Sequence, residues 1–380
     1  MEIGKSSRKS LHLPEETIEE ILSRLAVNSL LKFRCVSKSW GSLIDSERFI
    51  KTHHQNSIKN PSFPQQRLIL KNYLFDEFDD WPVQSSLPSV LSEPPNTISL
   101  SPLAVPTNTT LMRFEILGCY NGLLCILEQP SGIYSWNPSI GISRNLPEQP
   151  CRIHLWNPST GISKKLPEIS NVGYVSDFGF GWVESSSEYK VFVNVANLEY
   201  YLWKWVGKVY SSKTKSWKTI EHCEEYLCTY RCKEGVFAGG KLYWTNYNGH
   251  KEDIIFLDLK SEVFGRIELP FDEEYRAIKL LGVLGGCLCA LHWDIYYFKT
   301  IVQVWVMKKS WERVVNVHHL VELLQPAPFV VGLKGEILVN CGSTLLVFDR
   351  QDNVFRCPKV CCDYRSTHVY VESLVSPEDL

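Results

Sequence analysis

Parts of the second half of the chain repeat one pattern: an apolar run, a polar turn and then an aromatic residue. The pattern occurs at 209–217, 255–264 and 345–355. A fourth, partial copy ends at Trp311. The aromatic residues that close the four copies are spaced by 47, 47 and 44 residues: Trp217, Phe264, Trp311 and Phe355. Such a period is typical of β-propeller blades, which bury their faces only against one another. The pattern predicts a large all-β domain at 67–375, a propeller of about six or seven blades.

Strand and turn signals outside the repeat agree with an all-β domain. Short apolar runs are separated by turn sequences such as Asn121-Gly122 and Gly285-Gly286. We expect the first strand at Arg67–Leu74. The segment Phe75–Pro106 is rich in acidic residues and prolines, and we expect a long irregular loop there.

The beginning of the chain follows a helical pattern instead. Pro14 suits the first turn of a helix, and Ile18, Ile21, Leu22 and Leu25 lie at the spacing of one apolar face. Two more short helices are expected before about residue 45, capped by polar side chains: Asn28 or Ser29 for the second and Ser37 for the third.

A unit of three short helices is near the lower size limit for an independent core. Its surplus apolar side chains either pack on the β domain or form a surface for a partner. The pattern alone leaves both interpretations open. We expect a flexible N-terminus at 1–10, the helical unit at 11–50 and a linker at 51–66.

A tandem duplication covers 131–170. Residues 131–150 and 151–170 are identical at eleven of 20 positions, including the Trp-Asn-Pro of each copy. Twenty residues make about half a blade, so one copy must lie outside the regular blade pattern. The simpler interpretation is a neutral insertion, and the functional one is an extra hairpin that reshapes a binding face.

Composition excludes several classes of protein. The net charge of −2 gives no global electrostatic reason to bind nucleic acid. The 13 cysteines are odd in number and scattered, which favours reduced, mostly buried thiols over a disulfide framework. The longest apolar run, Leu280–Trp293, is too short to span a bilayer, and residues 1–10 have no apolar signal region. We expect a cytoplasmic or nuclear protein without membrane association.

No motif indicates catalysis. The sequences Gly-x-Ser-x-Gly and His-Glu-x-x-His are absent. Gly179-Phe180-Gly181 lacks the third glycine of a nucleotide-binding turn, and the zinc-like set fits no common spacing: Cys357, Cys361, Cys362 and His368. We predict no catalytic residue, no metal and no cofactor.

The helical unit resembles the F-box motif at nearly every diagnostic position. These positions are Leu13-Pro14, Ile18, Ile21-Leu22, Arg24-Leu25, Ser29-Leu30-Leu31, Phe33 to Trp40 and Leu43-Ile44. Ala26 departs from it, because many members have proline there, and we expect a softer break between the first two helices. The resemblance implies docking on the Skp adaptor of a cullin-based ubiquitin ligase (SCF). It places ten residues in the unit and its dock: Leu13, Pro14, Ile18, Ile21, Leu22, Leu25, Leu30, Leu31, Val36 and Trp40.

The rest of the chain resembles the F-box-associated domain of plant F-box/kelch-repeat proteins. The matching stretches are Gly118–Cys125, Leu155–Gly161, Asp177–Gly181 with Tyr189–Val191, Gly235–Trp244, Leu281–Cys289 and Val304–Met307. The resemblance implies a propeller-like domain that captures substrates.

Together the two resemblances imply a non-catalytic substrate receptor, whose partners are a Skp-type adaptor, through it a cullin, and an unknown protein substrate. Two alternatives remain open at this point. One is a propeller lectin or enzyme with an incidental helical cap, and the other is an adaptor-binding protein that acts outside a ligase. The least patterned segments are the candidates for substrate contact: 75–106, the duplicated hairpin, 194–206 and 222–234.

Overall fold

The computed structural model describes residues 13–59, 65–71, 82–91, 98–103, 105, 114–128, 151–169, 174–199, 202–220, 233–247, 252–270, 278–296, 299–318, 326–331, 336–341, 344–349, 354–358 and 366–380. The chain forms two compact units, Met1–Gln65 and Gln66–Leu380. The N-terminus predicted to be flexible, 1–10, lies outside the described residues.

The first unit is helical. Its helices are α1 (Glu15–Leu22), α2 (Val27–Phe33), α3 (Lys38–Ile44) and α4 (Glu47–Lys59). The predicted cap of the third helix is present, because the Ser37 hydroxyl accepts a hydrogen bond from the Trp40 N–H at 3.1 Å. Helix α2 begins earlier than predicted: its N-cap is Ala26, not Asn28 or Ser29. Ala26 has a φ of −63°, an angle that proline also adopts. The backbone between α1 and α2 therefore has the φ that a proline at this position would impose.

Helix α4 corrects the predicted linker, because residues 51–59 are helical. The sequence predicts a linker here because the segment is largely polar and contains two adjacent histidines. In the structure Phe49, His53 and Ser57, spaced by four, are all buried. They form one face of the helix, and a buried face stabilises a helix more than its intrinsic propensity does.

The second unit is built from six sheets in the described part of the chain. Blade 1 contains β1 (Gln66–Lys71), β2 (Val83–Ser86) and β3 (Ser101–Pro102), with the short helix α5 (Leu87–Leu91) after β2. Blade 2 contains β4 (Phe114–Tyr120), β5 (Leu123–Glu128), β6 (Arg152–Trp156) and β7 (Ser163–Lys165). Blade 3 contains β8 (Tyr174–Val183), β9 (Glu188–Glu199), β10 (Leu202–Ser211), β11 (Ser216–Ile220) and β12 (Lys233–Glu234).

The remaining three sheets follow the same order. Blade 4 contains β13 (Val236–Ala238), β14 (Lys241–Tyr247), β15 (Glu252–Asp258) and β16 (Val263–Ile267). Blade 5 contains β17 (Ile278–Leu284), β18 (Cys287–Tyr296), β19 (Lys299–Met307) and β20 (Trp311–His318). Blade 6 contains β21 (Pro326–Val331), β22 (Ile337–Cys341), β23 (Thr344–Asp349) and β24 (Val354–Arg356). The last strand, β25 (Ser366–Val371), pairs antiparallel with β1 and completes blade 1.

The blades close into a ring. One strand of each sheet contacts the corresponding strand of the next. These are the first strands of blades 2 to 6 and, in blade 1, the last strand of the chain, in the order β25, β4, β8, β13, β17, β21 and back to β25. Buried apolar side chains fill the spaces between neighbouring blades, for example Trp156 between blades 1 and 2 and Trp244 between blades 3 and 4. This closed arrangement is a β-propeller, which confirms the predicted fold class.

The repeated sequence pattern is the outer hairpin of a blade. Its closing aromatic residue pairs across the hairpin, as Trp217 does with Tyr210 and Phe264 with Leu257. The indole N–H of Trp217 also donates to the Pro167 carbonyl, at 2.7 Å, in the segment that follows the last strand of blade 2. Trp311 of blade 5 donates in the same way to Glu268, at 3.1 Å, after the last strand of blade 4. The repeat therefore joins each of these blades to the preceding one.

Two sequence expectations for blades 1 and 2 need correction or completion. The segment Phe75–Pro106 is not one irregular loop, because β2, α5 and β3 lie within it. The two strands are short: β2 pairs with β1 and β3 pairs with β2, and the local sequence does not show such pairing. In the duplication, the second copy supplies β6 and β7 of blade 2. The first copy, 131–150, lies outside the described residues.

The two faces of the ring differ in their connections. We call the turn face the one where first strands lead into second strands through short turns, such as Asn121-Gly122 and Gly285-Gly286. The opposite loop face carries the connections from β5 to β6, from β9 to β10 and from β11 to β12. On the turn face the C-terminal segment is tied down by Asn157, whose amide donates to the Ser373 and Val375 carbonyls at 2.9 and 2.7 Å.

Candidate protein-interaction surface of the helical unit

The helical unit has a small core of its own. Five apolar side chains are almost completely buried: Leu22, Val27, Leu30, Ile44 and Phe49, each at most 1% exposed. Burying each contributes roughly 1.5–3 kcal/mol. Two of the ten residues in the predicted dock, Leu22 and Leu30, are therefore core residues.

Other members of the predicted set point into solvent. Leu13 is 58% exposed, Ile21 47% and Val36 59%. In the part of the chain that the structure describes, the remaining exposed large apolar residue is Val263 of the β domain. Pro14 is exposed, and the rest of the set is half-buried: Ile18, Leu25, Leu31 and Trp40. Exposed apolar side chains concentrated in one small unit are typical of a binding surface.

Position on each helix explains which side chains face outward. Leu22 of α1 is buried while Ile21, one residue earlier, is exposed. Successive helical residues are about 100° apart, so the apolar stripe of α1 is wider than the strip that the core covers. Val36 lies between α2 and α3, a corner braced by a bidentate ion pair of Arg34 with Asp45, with a closest distance of 2.9 Å. The surface is thus carried by short, braced elements.

His53 of α4 supports the break between α1 and α2. Its Nε2–H donates to the Leu25 carbonyl oxygen at 2.8 Å, and its ring stacks on Phe49 with 6.0 Å between centroids. The Gln65 amide donates to the same oxygen at 3.4 Å. Carbonyls after the end of a helix lack helical partners, so these side chains satisfy one of them inside the unit. Sequence reasoning missed this role, and the four-residue spacing of Phe49, His53 and Ser57 was the available signal.

Acidification is expected to weaken the helical unit, because His53 is buried in its neutral form. Burial lowers the pKa of His53, and the hydrogen bond to Leu25 offsets this in part. The unfolded chain titrates near pH 6.5. Below about that pH His53 binds a proton more readily in the unfolded state than in the folded state. The free energy of unfolding therefore falls as the pH falls toward the folded pKa. Thermal unfolding at about pH 7.5 and about pH 5.5 should show a loss on the order of 1 kcal/mol. A His53→Gln variant should lose less, and an unchanged loss would contradict this role.

Residues that could suggest chemistry take structural positions. Gly179 and Gly181 lie in β8, where a Cβ would come within 2.7 Å of Leu242 and 2.3 Å of Phe237, respectively. Burial raises the pKa of the thiols of Cys151 and Cys289 to about 12, so they are protonated at neutral pH. Cys361 and Cys362 of the zinc-like set lie outside the described residues.

His368, the histidine of that set, lies with its Nδ1 3.5 Å from Glu234. Among the described residues no group of three or more histidine, cysteine, aspartate or glutamate side chains is arranged to hold a metal. No described helix is long and apolar enough to cross a membrane.

Comparison with known proteins agrees with both units. Residues 10–52 match the F-box domain family, and residues 92–377 match the family described as F-box associated beta propeller domain. An F-box/kelch-repeat protein of Arabidopsis thaliana is 25% identical over 97% of this chain and 97% of its own length. The Arabidopsis F-box protein CPR1 is 27% identical over 96% of this chain and 88% of its own. The solved structure of TolB from Acinetobacter baumannii is 9% identical with a TM-score of 0.45, covering 86% of this chain and 73% of TolB. The chain belongs to the F-box proteins with an F-box-associated β-propeller domain.

Proposed function

We propose that the protein is the substrate-recognition subunit of an SCF-type ubiquitin ligase. The helical unit docks on a Skp-type adaptor and, through it, on a cullin. The observation that carries this proposal is the exposure of Leu13, Ile21 and Val36 on a unit whose core is already filled by other side chains. Apolar side chains left in water by a filled core gain free energy when a partner covers them.

The propeller then presents the protein to be ubiquitylated. Several segments that the sequence indicated for substrate contact include or adjoin strand ends at the loop face. Residues 131–150 of the duplicated hairpin lie between β5 and β6 in the chain, 194–206 covers the end of β9 and the start of β10, and 222–234 leads into β12. Connections between rigid elements are where proteins most often place binding residues. We therefore propose the loop face as the substrate-binding face.

The proposed mechanism is proximity, with no catalytic step by this chain. Holding adaptor and substrate on one molecule raises the effective concentration of substrate lysines near the ubiquitin-conjugating enzyme. The closed ring of blades supports this role, because each sheet contacts its neighbours all the way round the ring. The receptor would act in the cytoplasm, the nucleus or both, where thiols stay reduced.

The experiment is proximity labelling in plant cells treated with a proteasome inhibitor. The full-length chain is compared with a full-length variant, Ile21→Asp with Val36→Asp, that we expect not to bind the adaptor. Substrates should be labelled by both chains but carry more ubiquitin only with the unchanged chain. A different outcome is that the unchanged chain binds the adaptor and the variant does not, while the labelled proteins carry equal ubiquitin with both chains. That result would mean that the protein acts outside a ligase. No adaptor among the proteins labelled by the unchanged chain would refute the proposal.

A further inference from the structure

Three aromatic side chains lie near the turn-face ends of neighbouring strands. Tyr120 ends β4, Trp182 lies one residue before the end of β8, and Phe237 lies in β13, so they come from the first strands of three successive blades. All three residues are half-buried. The rings of Tyr120 and Phe237 meet edge to face, with 4.9 Å between centroids.

Buried groups hold these rings in place. Trp182 packs edge to face on Tyr189 at 4.6 Å, and Tyr120 contacts the same ring at 6.4 Å. Tyr189 is 3% exposed, and its hydroxyl accepts a hydrogen bond from the Asn121 amide at 3.2 Å. The Phe237 ring lies against Gly181, where a Cβ would come within 2.3 Å of it. The aromatic surface is therefore pre-organised and loses little side-chain entropy on binding.

One negative charge lies beside the rings. Glu184 directly follows β8, is exposed, and accepts a hydrogen bond from the Trp182 indole N–H at 2.8 Å. Burial and, after it, the Glu184 charge raise the pKa of Tyr120. Both influences have the same sign. The electron-rich ring faces and the carboxylate therefore create a negative potential at one point of the surface.

We propose that Tyr120, Trp182, Phe237 and Glu184 form a binding site for an arginine side chain of a protein partner. A guanidinium group stacks on aromatic faces and donates hydrogen bonds to a carboxylate in the same plane, so it uses both parts of the site. A neutral ligand such as a sugar would use the rings but gain no charge interaction with Glu184. The site lies on the face opposite the proposed substrate face, so it goes beyond the receptor function and does not depend on it.

The probe is N-acetyl-L-arginine amide, titrated into the full chain with ¹⁵N-labelled tryptophan. The indole N–H resonance of Trp182, identified by its loss in Trp182→Phe, should shift with a dissociation constant in the millimolar range, as expected for roughly 4 kcal/mol. N-acetyl-L-citrulline amide has nearly the same shape without the charge and should bind at least tenfold more weakly. An equal response to citrulline, or no response to arginine up to about 50 mM, would overturn the proposal.

Two matched variants locate the interaction. Glu184→Gln keeps an acceptor for the Trp182 indole but removes the charge, and it should weaken arginine binding about tenfold. Glu312→Gln removes an exposed carboxylate from blade 5, where Glu312 pairs with Lys308 at 2.7 Å, and it should leave binding unchanged. Unchanged binding in Glu184→Gln, or the same loss in both variants, would also overturn the proposal.

Discussion

Replacing Ile21 and Val36 together by aspartate is expected to abolish co-purification with a Skp-type adaptor while both units stay folded. Both side chains are about half exposed or more, so the change costs little in the free protein. In a complex each apolar side chain would lose roughly 1.5–3 kcal/mol of burial, and a buried, unpaired carboxylate would add a further penalty. A total of more than about 3 kcal/mol corresponds to at least a hundredfold weaker binding.

The chain offers a matched control for this experiment. Val263 of β16 is 60% exposed, as open as Val36, but lies on the β domain. Val263→Asp should leave adaptor binding unchanged. Adaptor binding by the double variant within a few-fold of the unchanged chain would contradict the proposed dock. Binding is measured by isothermal titration calorimetry, with folding checked by circular dichroism.

Alanine at Leu30 and Leu31 would be a weaker test, although both residues belong to the predicted dock. Leu30 is 0% exposed, and removing a buried leucine side chain costs about 2–5 kcal/mol of folding free energy. A loss of binding would then report unfolding of the helical unit as readily as loss of contact. The exposed residues separate the two effects.

The propeller could be predicted from the sequence because the repeated aromatic residues occupy equivalent positions in successive blades. Trp217 and Trp311 must close an outer hairpin and reach the preceding blade, so their spacing records the blade length directly. The short strands β2 and β3 have no such signal. They depend on pairing with other strands, β2 with β1 and β3 with β2, whereas the local sequence of Phe75–Pro106 shows only its prolines and charges.

The candidate surfaces were predictable only in part, for a similar reason. Helical spacing placed Ile18, Ile21, Leu22 and Leu25 on one stripe, but the packing of the other helices decides which of them is covered. The sequence could therefore name the stripe without separating Leu22 from Ile21. The aromatic site on the turn face gave no sequence signal, because its residues come from three blades and meet only after the ring closes.

Deleting either copy of the duplication should give opposite results, although the two deletions remove equally many residues. Removal of 131–150 leaves β6 and β7 intact and joins Glu128 to Arg152, which pair in the sheet, through three residues: Gln129, Pro130 and Cys151. Hairpin loops of this length are common. Shortening the connection stabilises the folded state by up to about 2 kcal/mol through loop entropy. This variant should unfold at the same temperature as the unchanged chain, or higher.

Removal of 151–170 forces the first copy into blade 2, where three buried apolar positions become polar. Cys151, Leu155 and Ile169 are 7%, 1% and 4% exposed, and the first copy has Ser131, Ser135 and Gln149 in their places. The variant loses buried apolar side chains and buries polar groups without hydrogen-bond partners. Together these changes should lower the free energy of unfolding by about 5 kcal/mol. A loss of that size is a large part of the stability of a typical domain.

Thermal unfolding followed by near-ultraviolet circular dichroism distinguishes the two deletions, and a repaired variant provides the control. The 151–170 deletion with Ser131→Cys, Ser135→Leu and Gln149→Ile should recover most of the lost stability, because it restores the three buried side chains. Equal destabilisation by both deletions would mean that the first copy is part of the packed blade.

If the 131–150 deletion folds normally, proximity labelling with this variant decides between the two interpretations of the duplication. Unchanged labelling indicates a neutral insertion, and lost labelling indicates a hairpin that contacts substrate.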